Sequence, residues 1–205
     1  MNDLLSSVAR YYTDKIQRFG SEPRGVDWNG REGQVLRFAQ LCKVLDPDAP
    51  FSVTDVGCGY GSLLEFLGTH FQSFDYVGVD ISNAMIDAAT QLHADKAHAR
   101  FELGTRPSQP TDFAVASGIF NVKLESSDSE WRSYIETTLE NMHEFTTRGF
   151  AFNCLTSYSD QDRMRPDLHY ANPCELFDLC KRKYSRNVAL LHDYGLYEFT
   201  ILVRK

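Results

Sequence analysis

The stretch Val53 to Leu67, "VTDVGCGYGSLLEFL", decides how the chain folds. A β-branched run ends in Asp55, three glycines follow at alternate positions (Gly57, Gly59 and Gly61), and an apolar-periodic run begins at Ser62. The order is a buried strand, a turn of bare backbone, then a helix. One glycine is enough for a tight strand-to-helix turn. Three at alternate positions leave a surface without Cβ atoms, against which a ligand can lie. In open α/β sheets that place is the carboxyl edge of the strands, where strand order reverses.

Outward from this stretch, strands and helices alternate. "DYVGVDI" reads as a second strand, "NAMIDAATQLH" as a helix, "AHARFEL" and "TDFAVASGIF" as strands three and four. "SDSEWRSYIETTLENMHEF" reads as a long helix opened by a Ser127–Glu130 capping box. "RGFAFNCLT" is strand five, and "NPCELFDLCKRK" a helix capped by Asn172 with Pro173 at its first position. The last segment, "NVALLHDYGLYEFTILVRK", holds two strands too close together for a helical crossover, so they pair antiparallel. The expected fold is α/β and Rossmann-like: a seven-stranded, mostly parallel sheet with an antiparallel last strand and helices on both faces. Before it, residues 5–19 and "VLRFAQLCKVL" read as two helices forming an N-terminal lid. Residues 1–205 are expected to form one domain, with 1–48 as a helical cap and 49–205 as the core.

The chain has 205 residues, 42 % of them hydrophobic and 24 % charged, values suited to a globular core. No run reaches the ~18 apolar residues of a membrane span. The five cysteines are odd in number and lack CxxC spacing, so neither a disulfide framework nor a zinc knuckle is expected, and a reducing, cytoplasmic setting fits. A formal net charge of −7, with "KRK" at 181–183 the one tight basic cluster, argues against a nucleic-acid partner.

The glycine spacing selects the ligand. A dinucleotide fold places glycine where this chain has Ser62. Asp55, two residues before the loop, repels a phosphate and attracts a cation. A second acid, Asp80, ends the next strand 25 positions later, where a carboxylate can accept both hydroxyls of a ribose. "DVGCGYG" and "VGVDIS" together resemble the first two motifs of the class I S-adenosylmethionine-dependent methyltransferases. The resemblance runs from Phe51 to the C-terminus.

The resemblance implies S-adenosylmethionine as cofactor and a role for each matching position. Asp55, Gly57, Cys58, Gly59 and Gly61 would hold the methionine part. Asp80 would take the ribose, with Ile81 and Met85 on the adenine. Leu103 and Thr105 stand where the family often has an acid facing the adenine amine; Ser117, Gly118 and Ile119 would floor the site beside the sulfonium. In the lid, Arg37 is expected to pair with the cofactor carboxylate, and Trp28 and Tyr12 to close over the site.

The acceptor is expected to be a small molecule with an oxygen, nitrogen or carbon nucleophile. "SGIFN" after strand four lacks the N/D-P-P-Y type of motif used on nucleic-acid amines, and no carboxylate cluster there invites a metal. The polar loop after strand five supplies His169 and Tyr170 as candidate base and acceptor-positioning residues. Two other readings stay open at this level: a nicotinamide-dependent oxidoreductase, and a methyltransferase-like fold kept as a non-catalytic binding module.

Overall fold

The computed structural model describes residues 2–26 and 30–205. Two helices lead, α1 (Asn2–Phe19) and α2 (Arg31–Leu41). Then come β1 (Phe51–Val56), α3 (Ser62–His70), β2 (Phe74–Asp80), α4 (Asn83–Leu92), β3 (Ala99–Leu103) and β4 (Thr111–Ala116). After them run α5 (Asp128–Phe145), β5 (Thr146–Thr156), β6 (Tyr170–Ala171), α6 (Pro173–Lys183), β7 (Asn187–Leu191) and β8 (Glu198–Arg204).

One sheet holds all the strands in the order β3-β2-β1-β4-β5-β8-β7, with β6 beside the end of β5. β8 lies antiparallel between β5 and β7; the other pairings are parallel. The sheet has eight strands where seven are expected from sequence. The addition, β6, is two residues long, too short to leave a periodic signal. Strand four also ends early, at Ala116, because the chain turns at Gly118, which sits at φ +78°. α2 begins at Arg31, before the expected Val35, and its last turn tightens to a 3₁₀ turn at Cys42–Val44.

Parallel strands covered on both faces must be apolar on both. Val56, Val77, Val79, Ala114 and Phe150 face one layer, packed on Trp131, Ile135, Leu139 and Met142 of α5. Val53, Tyr76, Phe113 and Val115 face the other, against Phe38 and Leu41 of α2 and Leu63, Leu64 and Leu67 of α3. The period-2 alternation of each strand thus sorts its side chains between two cores. The caps behave as their sequence demands. Ser127 and Glu130 close a reciprocal box on α5, and the Asn172 side chain accepts the Cys174 amide at the head of α6.

β1 lies at the centre, flanked by β2 and β4. Strand order reverses there, so the loops after β1 and β4 diverge and leave a crevice at the carboxyl edge. α1 and α2 approach that crevice from outside the sheet. The Thr13 hydroxyl lies 2.8 Å from that of Ser82 at the cap of α4, and the Gln34 amide donates to Ser62 at 3.0 Å.

Candidate active site

The crevice is a cleft enclosing about 920 Å³, counted to its open mouth. Gly57, Cys58 and Gly59 form one wall. Gly57 sits at φ +72° and Gly59 at φ +55°, a left-handed conformation that glycine holds without a Cβ clash. A Cβ on Gly57 would stand 2.2 Å from Ile119, and one on Gly59 would stand 2.8 Å from Val26. The bare backbone keeps open a cradle that side chains would fill.

Asp55 lies behind that loop, 3 % exposed, and lines the cleft. Its register partner on β2 is Gly78, and Tyr76 is the same-face diagonal neighbour two residues back. That placement lets the Tyr76 hydroxyl donate to Asp55 at 2.8 Å. Burial raises the Asp55 carboxyl to about 7, the Tyr76 hydrogen bond opposes that rise, and the nearby charge of Asp80 adds to it. Gly78 matters for its missing side chain: a Cβ there would meet Phe101 at 2.6 Å and the Cys58 sulfur at 2.8 Å.

Asp80, at the end of β2, accepts the Gly59 amide at 2.9 Å through one oxygen and the Ser82 amide at 2.9 Å through the other. Burial pushes its carboxyl above the ordinary range, and those two amides pull it back. Each oxygen retains a lone pair for a ligand hydroxyl. Ile81, Met85, Gly104 and Thr105 line the cleft further along, and Ser117, Gly118 and Ile119 lie at the end of β4. The Ser117 hydroxyl is buried without a hydrogen-bond partner among the described residues. Tyr12 enters from α1 with Leu5 and Val8.

Several expected positions sit elsewhere. Leu103 is 56 % exposed and outside the cleft; the wall at that level is Gly104. Gly61 holds φ +84° as the N-cap of α3, but it backs onto His93 and Phe101 rather than the cleft. Arg37 does not line the cleft: Glu198 takes its guanidinium in a two-point pair, at 2.8 and 2.7 Å. Trp28 lies outside the described residues. His169 and Tyr170 border a second depression between α5, α6 and β6 that shares no lining residue with the first. Burial lowers the His169 pKa, with Asp128 opposing the shift, and the Tyr170 hydroxyl accepts the Arg165 amide at 3.0 Å. The two-residue strand β6 pairs this loop with the end of β5.

Residues not expected at the site from sequence complete the walls: Gln34 and Phe38 from α2, and Tyr134 and Thr138 from α5. Tyr134 and Thr138 belong to the buried stripe of α5. Their hydroxyls were the one available signal that this stripe meets more than core. Burial raises the Tyr134 pKa, and its hydrogen bond to Thr138 counters that.

A reversed-order parallel sheet, a naked glycine turn backed by an acid and a second acid ending the next strand define a class I S-adenosylmethionine-dependent fold. Residues 54–149 match the family model described as "Methyltransferase domain". Rv1506c of Mycobacterium tuberculosis, a protein named as a methyltransferase, is 55 % identical over 163 residues, which span 80 % of this chain and 98 % of that one. The chain belongs to the methyltransferase family. Among solved structures, magnesium protoporphyrin IX methyltransferase from Synechocystis with bound SAH superposes with a TM-score of 0.66 at 13 % identity, over 98 % of this chain and 99 % of that one. The DhpI-SAM-HEP complex gives 0.68 at 13 %, over 97 % and 96 %. The oxidoreductase reading falls with this membership.

Proposed function

We propose that this S-adenosylmethionine-dependent methyltransferase acts on a small-molecule acceptor. The observation that carries the reading is the roof of the cleft. Leu5, Val8 and Tyr12 of α1 and Phe38 of α2 line the cleft together with the glycine loop and leave a largely apolar chamber with an open mouth. A chamber of this kind suits a compact acceptor better than a polymer strand. The two neighbouring structures support it, since one is named for a porphyrin substrate and the other carries HEP. The acidic balance of the chain weighs against a nucleic-acid partner. Among the described residues no helix is long and apolar enough to cross a membrane. We read the setting as cytoplasmic, and residues 1–48 as the cap of a single domain whose core is 49–205.

The residues present suit the cofactor. Gly57 and Gly59 give close backbone approach, Asp80 has free lone pairs for a ribose, and Asp55 offsets positive charge. When bound, the cofactor supplies a methyl group on a positively charged sulfur that leaves readily. The protein's part is orientation. Holding two reactants in line can contribute ~7 to 11 kcal/mol in favourable cases. The roof residues exclude water, and Ser117 to Ile119 set the floor.

The test is a labelled-methyl assay over fractionated metabolite extracts. Label in a low-mass product supports the reading, and label on nucleic acid or protein overturns it. Tight cofactor binding with no labelled product in any fraction favours a non-catalytic binding module.

A further inference from the structure

We infer that Arg37, Glu198 and Asn153 form a buried relay that couples the position of α2 to the backbone of Gly118 on the cleft floor. None of the three lines the cleft, so each acts as a positioning residue. Glu198, at the start of β8, is 1 % exposed. Arg37 Nε donates to its Oε2 and Nη2 to its Oε1, a fork that fixes the carboxylate plane. Oε2 also accepts Asn153 Nδ2 at 2.8 Å.

The chemistry of that contact sets the next one. A carboxylate paired with a guanidinium only accepts, so Asn153 must turn its NH₂ toward Glu198. Its Oδ1 then faces the other way and accepts the Gly118 amide at 2.7 Å. The sheet makes the geometry possible. Glu198 pairs in register with Leu155, so Asn153, two residues back, is its same-face diagonal neighbour. Asn153 and Glu198 are both buried, so water is kept from competing for these bonds.

Both ends of the relay belong to the cleft. Gly118 lines it, and at φ +78° it has no side chain with which to anchor itself. α2 lines it through Gln34 and Phe38, on either side of Arg37. A ligand that shifts α2 therefore moves the Arg37 fork, and the shift reaches the floor through two side chains. The ligand part of this inference rests on the cofactor reading; the relay itself does not.

Two measurements on the full chain test it. The first is the ¹⁵N–¹H spectrum of glycine-labelled protein, with Gly118 compared among wild type, Arg37→Lys and Arg37→Gln. Arg37→Lys keeps the charge without the fork and is the milder variant. The expected result is a displaced Gly118 resonance in both variants, with its solvent exchange faster by about tenfold as the hydrogen bond weakens. Gly78, remote from the relay, should stay in place. An unmoved Gly118 in folded variants overturns the relay. The second is calorimetry with S-adenosylhomocysteine. Arg37→Gln and Asn153→Ala should each weaken binding about five- to tenfold, and the double variant by no more than the larger single effect. Unchanged affinities, or losses that multiply, overturn the coupling. If wild type itself fails to bind, the cofactor reading falls, and the Gly118 spectrum still decides the relay.

Discussion

Asp80 reaches back across 21 residues to accept the amide of Gly59 at 2.9 Å. The acid at the end of β2 thus shapes the glycine turn after β1 and also lines the cleft. Gly57 and Cys58 add to the tie, since both amides donate to the Val79 carbonyl. The two motifs of the sequence are one structural unit.

Asp80→Ala removes the proposed ribose acceptor and a loop staple together. The expected loss in cofactor affinity is about 1.5 to 3 kcal/mol, the range for hydrogen bonds to charged groups. Calorimetry with S-adenosylhomocysteine checks it, and unchanged affinity removes Asp80 from the ribose role.

Cofactor binding should depend on pH through Asp55. Its folded pKa, about 7, lies above the ordinary 3.8. The folded protein therefore holds a proton that the unfolded chain gives up between those values. Asp55's contribution to stability is full below about pH 4, declines as pH rises to about 7, and is flat above it. A cationic ligand favours the ionised acid. S-adenosylmethionine should then bind more tightly at pH 8 than at pH 6, with proton release detectable in buffers of different ionisation enthalpy. Asp55→Asn should flatten that profile and raise the melting temperature of the ligand-free protein at pH 8; an unaltered profile assigns the proton elsewhere.

Gly57→Ala places a Cβ 2.2 Å from Ile119 at a φ of +72°. Left-handed strain costs about 1 to 2 kcal/mol and overpacking about 1 to 3, so a loss of about 2 to 5 kcal/mol is expected by urea unfolding. Cofactor affinity should fall with it. A variant as stable as wild type would mean that the loop relaxes freely.

His169→Ala should leave cofactor affinity unchanged, because His169 borders the second depression and not the cleft. A weakened S-adenosylhomocysteine titration in a folded variant would show that the two depressions communicate.

The order of the fold was legible because its signals are local. The capping box at Ser127, the Asn172–Pro173 start of α6 and the glycine turn after Asp55 each act within four residues. Alternation along β1 and β2 separates two faces without reference to any other segment. The glycine wall of the cleft was legible for the same reason: Gly57, Gly59 and Asp80 lie where strands end. The fate of long, polar side chains was not. Arg37 has the reach for a cofactor carboxylate, but Glu198, 161 residues away, takes it. His169 has suitable chemistry, but it borders the second depression and not the cleft.

The sequence by itself determined the succession of helices and strands, the bare turn and the two acids, because backbone conformation and hydrophobic period are written within a few neighbouring residues. Only the tertiary structure decided which polar groups meet. Asp55 with Tyr76, Arg37 with Glu198 and Asn153 with Gly118 are pairs made by strand register and helix packing across tens of residues. A hydrogen bond forms or fails within a few tenths of an ångström, a distance that spacing along the chain does not encode.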